Sequence, residues 1–441
     1  MIDRQPDIQP EIAERAGTPA GRNWAGNITF GARHLHTPGS LSELRRAVAA
    51  ATAIRALGTR HSFNAIADTP GVLISVAGLP RSVEIDAHAR TVTVSAGLRF
   101  GEFTEELHRG GFALHNLGSL PHISVAGACA TGTHGSGVDN RSLAGAVRAL
   151  ELVTADGSVR WLRRGDPDFA GAVVSLGALG VVTRMTLGVV PAFDVQQWVY
   201  EGLPQEQAVG RFDEIMSSAY SVSLFTDWRD GPVNQVWLKH RIGTDGPRNA
   251  PSRWLGATLA DGPRHPVPGM PPQHCTGQLG IPGPWHDRLP HFRLEFTPSS
   301  GEELQSEYFV ARRDAPAAFR ALDRIRERIA NPLQICEIRT VAADDLWLSP
   351  AQGMDAVAFH FTWVRDTAAV TPVLGAIEEA LAPFGVRPHW GKVFTTPPAR
   401  LRELYPHYED FERLMTRYDP TGTFRNPYLD RCFRRTDDTR G

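Results

Sequence analysis

Apolar residues along this chain fall in short runs separated by polar, glycine-bearing turns, a pattern that predicts brief strands and helices packed in layers. Leu41, Leu44, Val48 and Ala51 recur at helical spacing behind Ser40 and Glu43, whose separation is that of a capping box. The helix feeds an apolar run at 53–57, and further runs at 72–76 and 91–96 read as strands before a helix over 100–109. Segments 149–154 and 158–162 flank Ala155-Asp156-Gly157 and predict a hairpin. A glycine-rich helix over 175–180 is then expected to lead into a strand over 181–189.

The texture changes near Pro191, where a second domain of strands and helices is expected to begin. Its clearest elements are strands at 304–310, 333–341 and 356–364 and helices at 316–329 and 370–381. That order suits an antiparallel sheet with helices on one face. Between residues 245 and 290 proline and glycine abound with little periodicity, yet Trp254 and Trp285 mark the stretch as ordered. With 441 residues, two separate cores are the natural expectation.

Polar side chains interrupt the second-domain strands at spacing two. His360 and Thr362 share one face of their strand while Phe359, Phe361 and Trp363 take the other. Glu337 and Arg339 share a face, as do Gln305 and Glu307. Any one such pair reads most simply as a solvated sheet face with weak ion pairing. Three pairs on strands of one sheet point instead to a lined pocket, and amide, carboxylate, imidazole and hydroxyl groups all suit an alcohol-rich ligand. Lys392 follows Trp390 and Gly391 where the chain turns back toward the first domain, so a place at the seam competes with the usual solvated lysine. Two cations there, Arg339 and Lys392, would favour an alkoxide-like state of a bound alcohol.

In the first half, Gly58-Thr59-Arg60-His61-Ser62 closes an apolar run and offers backbone N–H groups to a diphosphate, with His61 either a covalent tether or a loop histidine. A second cradle is expected at 118–137, where small residues from Ser124 read as a helix start. Net charge is −2 with 21% charged residues, which leaves no basic field for nucleic acid and no polybasic membrane anchor. No secretory signal or membrane-length apolar run is visible, and Cys129, Cys275, Cys336 and Cys432 show no Cys-x-x-Cys pair. A cytoplasmic, monomeric protein with a small-molecule partner is expected.

Together Gly58-Thr59-Arg60-His61-Ser62, Gly118-Ser119-Leu120-Pro121-His122-Ile123, Thr133-His134-Gly135, Glu337-x-Arg339, His389-Trp390-Gly391-Lys392 and Asp419-Pro420-x-Gly422-x-Phe424-x-Asn426-Pro427 resemble the vanillyl-alcohol oxidase superfamily. Within it the chain is most similar to the bacterial alditol oxidases acting on xylitol or sorbitol, relatives of the sugar-lactone oxidases. The resemblance implies an α+β architecture, a two-domain FAD-binding fold of the vanillyl-alcohol oxidase/PCMH type with an α+β cap domain built on an antiparallel sheet. It divides the chain into an N-terminal extension (1–22), an FAD-binding domain (23–190), a substrate cap domain (191–393) and a C-terminal return (394–441).

The same resemblance implies that His61 bonds covalently to the flavin of FAD. Gly58, Thr59, Arg60, Ser62, Gly118, Ser119, His122, Ser124 and Gly127 would cradle the cofactor. Thr131, Gly132, His134, Gly135, Val182 and Lys392 would complete that site. Ser119, Gln305, Glu337, Arg339, His360, Thr362 and Lys392 match the substrate pocket, with Arg339, Lys392 and Glu337 at the chemistry. Oxidation of a polyol with O2 as electron acceptor is the implied activity. A sugar-lactone oxidase, a dehydrogenase with another acceptor and a flavin-binding protein without catalysis stand as alternatives.

Overall fold

A computed structural model describes residues 18–229, 231–243, 249–295 and 302–433. The chain up to residue 17, part of the expected extension, and residues 245–248 of the expected irregular stretch lie outside these, as do residues 434–441. Two small sheets and a strand pair, Phe112–Ala113 with Val190–Pro191, build the first half. One is ordered Thr18–Pro19, His34–His36, Val72–Ile74, Ile54–Ala56, so residues 18–19 of the expected extension are paired into it. The other runs Val83–Asp86, Thr91–Ser95, Val181–Gly188, Val147–Val153, Val159–Arg163, all antiparallel. The hairpin joining its last two sequence-adjacent strands turns at Gly157, φ +74°, with Asp156 accepting from the Ser158 amide.

Local chemistry explains several elements. Ser40 caps Leu41–Ala50 by accepting from the Glu43 amide, and Leu44 and Val48 are buried, whereas Leu41, expected on the same apolar face, is 36% exposed. No helix forms over 175–180, because Leu176 and Gly177 take left-handed φ values of 56° and 68°; the helix lies earlier, at Phe169–Val173. The expected helix 316–329 divides into Ala315–Asp323 and Arg326–Ala330 at Ile325, where φ reaches −112°. Likewise 100–109 divides into a 3-10 turn, Phe100–Glu102, and a helix, Thr104–Arg109.

One large antiparallel sheet dominates the second half, in the order Arg253–Trp254, Ala257–Leu259, Asp194–Leu203, Val233–Arg241, Ser221–Thr226, Leu333–Val341, Ala356–Val364, Glu303–Ala311, Arg387–Pro388. Its apolar face, with Tyr308, Ile338, Phe359, Phe361 and Trp363, packs on Ala315–Asp323 and Thr367–Leu381 through Phe319, Leu322, Leu374 and Ile377. Burying this face leaves the alternate positions to look the other way, toward the first half.

The chain's end returns to the first half. Thr423 accepts from the Ile54 amide at 2.8 Å, and the Asn426 side chain donates to the Ala65, Ile66 and Asp68 carbonyls. Helix Tyr408–Tyr418 contributes Phe411, Leu414 and Met415 to the same core as Val147, Leu150 and Met185. Among the described residues no helix is long and apolar enough to cross a membrane.

Candidate active site

Strand register sets the floor of a cavity between the two halves. Phe225 pairs with Glu337, Glu337 with His360 and His360 with Glu307, so one row crosses four strands. Gln305 and Thr362 form the next row on the same face, and Arg339 stands two residues from Glu337 on its strand. All of these except Phe225 carry polar groups, and all line one cavity.

Glu307 is the centre of the charge network. Its Oε1 accepts from Arg339 at 2.8 Å and lies 3.1 Å from His134 Nε2, while Oε2 accepts from Lys392 Nζ at 2.8 Å. Burial alone would push this carboxyl up, but Lys392, His134 and Arg339 outweigh it and hold it well below the usual carboxylate range. Glu337 is likewise opposed by burial and held low by Arg339 and His291. Burial lowers the Lys392 pKa, with Glu307 opposing, whereas Arg339 is raised because Glu337 and Glu307 overcome its desolvation.

His360 shows how the network fixes a tautomer. Its Nδ1 lies 3.2 Å from Arg339 Nη2 and 3.4 Å from Lys392 Nζ, both of which donate, so Nδ1 accepts and the ring proton sits on Nε2. Burial, reinforced by Lys392, pulls the His360 pKa well below 6.5 and keeps the ring neutral. Nε2 is buried without a partner among the described residues, leaving its proton for a ligand.

At the other end of the cavity, strand Ile54–Ala56 runs into the turn that carries His61. The His61 ring stacks on Trp24 at 5.2 Å, and neither ring nitrogen has a hydrogen-bond partner among the described residues. Burial, with His122 adding to it, pulls the His61 pKa down to about 4. A Cβ on Gly58 would come within 2.4 Å of Ser124 Oγ, and one on Gly127 within 2.8 Å of the same atom. Ser124 precedes Val125–Thr131 at the N-cap position without a side-chain capping bond, and its amide donates to Thr59 Oγ1 at 3.3 Å, so the two expected cradles form one wall.

Thr59, Ser62, Gly118, Ser119, Thr131 and Val182 line the cavity as expected of a cofactor wall. Arg60 also borders it, but its guanidinium is tied to the Ala20 and Arg22 carbonyls. Three expected cofactor residues do not line it. His122 is turned to the Leu294 carbonyl at 2.8 Å, Gly132 ends the helix Val125–Thr131 with φ +76°, and Gly135 is pressed against Asn116 and Leu117. Short motifs in a sequence do not separate a residue that lines a cavity from one packed behind it.

Three residues of the network escaped the expected set. Glu307 was visible beside Gln305 at spacing two, but nothing local marked it as the common partner of both cations. His291, 2.7 Å by Nε2 from Glu337 Oε1, comes from the irregular stretch before residue 295, and Lys239, 3.1 Å from His291 Nδ1, from a strand without a distinctive pattern. Only tertiary contact reveals them.

The fit to FAD rests on the cavity itself. A wall of small residues and backbone leads past an imidazole with two orphaned nitrogens to a charged, hydroxyl-pairing floor, as a long dinucleotide followed by a small polar substrate requires.

Comparison with known proteins agrees. Residues 32–163 match the FAD binding domain family and residues 301–432 match D-arabinono-1,4-lactone oxidase. An alditol oxidase of Streptomyces sp. is 53% identical over 410 residues, covering 92% of this chain and 97% of that protein. An L-gulono-1,4-lactone dehydrogenase of Mycobacterium tuberculosis is 30% identical, covering 94% of this chain and 99% of its own length. A crystal structure of cholesterol oxidase from B. sterolicum superposes with a TM-score of 0.76 at 16% identity, covering 94% of this chain and 96% of that one, a likeness of fold.

Proposed function

The chain belongs to the alditol oxidase family, and from that footing we propose that it oxidises the terminal C1 hydroxyl of an open-chain polyol such as xylitol or sorbitol to the aldose, with O2 reduced to hydrogen peroxide. The observation that carries this reading is the Arg339–Glu307–Lys392 cluster at the floor of the cavity. FAD held along this wall would supply the hydride acceptor and the route of electrons to O2. The protein's own groups do the rest.

Arg339 stays charged and presents its guanidinium beside Ser119 Oγ, 3.4 Å from Nη1, where a substrate hydroxyl oxygen can accept from it. His360 donates to the same region from Nε2. Lys392 Nζ, a cation paired with Glu307, joins Arg339 in stabilising the alkoxide left as the hydroxyl proton is lost to water. Glu337 Oε2, Gln305 and Thr362 pair with the hydroxyls further along the chain. His61, both nitrogens free, is the attachment point for the flavin.

A sugar-lactone substrate is the second reading, favoured by the Mycobacterium tuberculosis relative. A panel of xylitol, sorbitol, mannitol, glycerol and gulonolactone, followed by oxygen uptake and by dye reduction, separates the readings. Peroxide formed with xylitol or sorbitol is expected; turnover of gulonolactone alone, or with dye alone, overturns the assignment. Acid precipitation should leave the yellow colour with the pellet in the native protein and release it in His61→Ala.

A further inference from the structure

One buried run of polar groups ends on the substrate residues without belonging to them. Lys239, in the strand Val233–Arg241, is 1% exposed, and its three ammonium hydrogens meet three acceptors: the Leu289 carbonyl, the Pro290 carbonyl at 3.2 Å and His291 Nδ1 at 3.1 Å. Because Lys239 donates to Nδ1, the neutral ring of His291 carries its proton on Nε2, which lies 2.7 Å from Glu337 Oε1. The His291 backbone is held as well, its amide donating to the Ser119 carbonyl at 3.0 Å. Glu337 Oε2 is left 3.6 Å from Arg339 Nε, and both residues line the cavity.

We infer that Lys239 is a positioning residue for the substrate site: through His291 it occupies Oε1 of Glu337 and presents Oε2, ionised and in one orientation, to a substrate hydroxyl. The inference rests on the proposed function for the identity of that hydroxyl, but the relay itself does not.

Electrostatics support the geometry. Burial, followed by Lys239, holds the His291 pKa down at about 4, so the ring is neutral. Burial brings Lys239 down to about 7, with Glu337 and Cys275 pulling upward and Arg339 downward. The carboxylate at the far end is thus the main group that keeps the lysine charged. A lysine serving only to staple the loop at Leu289 and Pro290 would not need a histidine as third acceptor, nor couple to substrate affinity.

The test uses the flavin-loaded protein at pH 6.5. Ring ¹⁵N spectra should show His291 as the Nε2–H tautomer; an Nδ1–H tautomer or an imidazolium in the native protein overturns the relay. With xylitol, Lys239→Met should raise KM at least ~10-fold and change kcat by less than ~3-fold, and combining it with Glu337→Gln should add no further loss to Glu337→Gln alone. An unchanged KM, or losses that multiply independently, overturns the positioning role. If the native protein turns over no polyol, the functional reading fails, and the ring spectra alone decide the relay. They also decide it should Lys239→Met not fold.

Discussion

Nζ of Lys392 lies 2.8 Å from Oε2 of Glu307, a pair of residues 85 positions apart, the glutamate buried and the lysine side chain 12% exposed. The contact joins the segment that returns to the first half with the strand Glu303–Ala311 and places a cation at the floor of the cavity. Since Arg339 holds the other carboxylate oxygen, one acid balances both cations.

Glu307→Gln should therefore be severe. The substitution keeps shape but leaves two buried cations sharing Glu337 alone, a loss on the order of 3 kcal/mol or more. Urea denaturation should show that loss, and anaerobic reduction of the flavin by xylitol should slow at least ~10-fold. A stability change below ~1 kcal/mol would mean that water reaches the pair.

Gly118 lies beside Ser119 on the cavity wall, and a Cβ there would meet Ile123, His134 and Thr133 only at 3.6–3.7 Å. The backbone does not demand glycine, so Gly118→Ala should fold normally. Gly118→Val adds branches toward the flavin site and should slow reoxidation by air ~10-fold while sparing anaerobic reduction. Stopped-flow measurement of the two half-reactions checks this, and unchanged oxygen reactivity removes the residue from any role with O2.

Arg55 tests how the halves of the flavin-binding region are tied. Its guanidinium donates to the Ile66, Leu176, Gly177 and Phe424 carbonyls, joining a strand, the 175–180 turn and the returning tail. Burial brings its pKa to about 10, still charged at neutral pH. Arg55→Lys cannot span four carbonyls with one ammonium and should cost about 2–3 kcal/mol in denaturant unfolding. Equal stability would show that these bonds are replaceable by water.

Acid should weaken the fold earlier than carboxylates alone would dictate. His291 is held at about 4 and His389 at about 3 by burial, and His134 and His360 are lowered too. The unfolded chain takes up these protons near pH 6.5 while the folded one resists, so stability is full above about pH 7 and declines as pH falls from about 6.5 toward 4. Below that, protonation of Glu307 and Glu337, both depressed in the fold, removes more. Tm should drop by more than about 5 °C between pH 7 and pH 5. A flat Tm over that range would show the imidazoles are not held neutral.

Much of the site was legible in residue order. Alternation within 356–364 placed His360 and Thr362 on the face opposite Phe359, Phe361 and Trp363, and the structure buries the aromatic side under helices. Capping at Ser40 and the turn at Gly157 were equally local, because each depends on residues within a few positions. Where local rules conflicted with packing they failed: Leu41 is exposed despite its spacing, and left-handed residues replace the helix over 175–180.

The sequence alone therefore determined which strands carry polar faces, because side-chain alternation is a property of one strand. Only the tertiary structure decided what those faces do. Register put His360 between Glu337 and Glu307, and chain return set Lys392 against Glu307. A loop without periodicity carried His291 from Lys239 to Glu337. The reason is physical: an ion pair or a fixed tautomer is made by two or three groups within about 3 Å of each other, and segments far apart in the chain meet at that range only once both cores have formed.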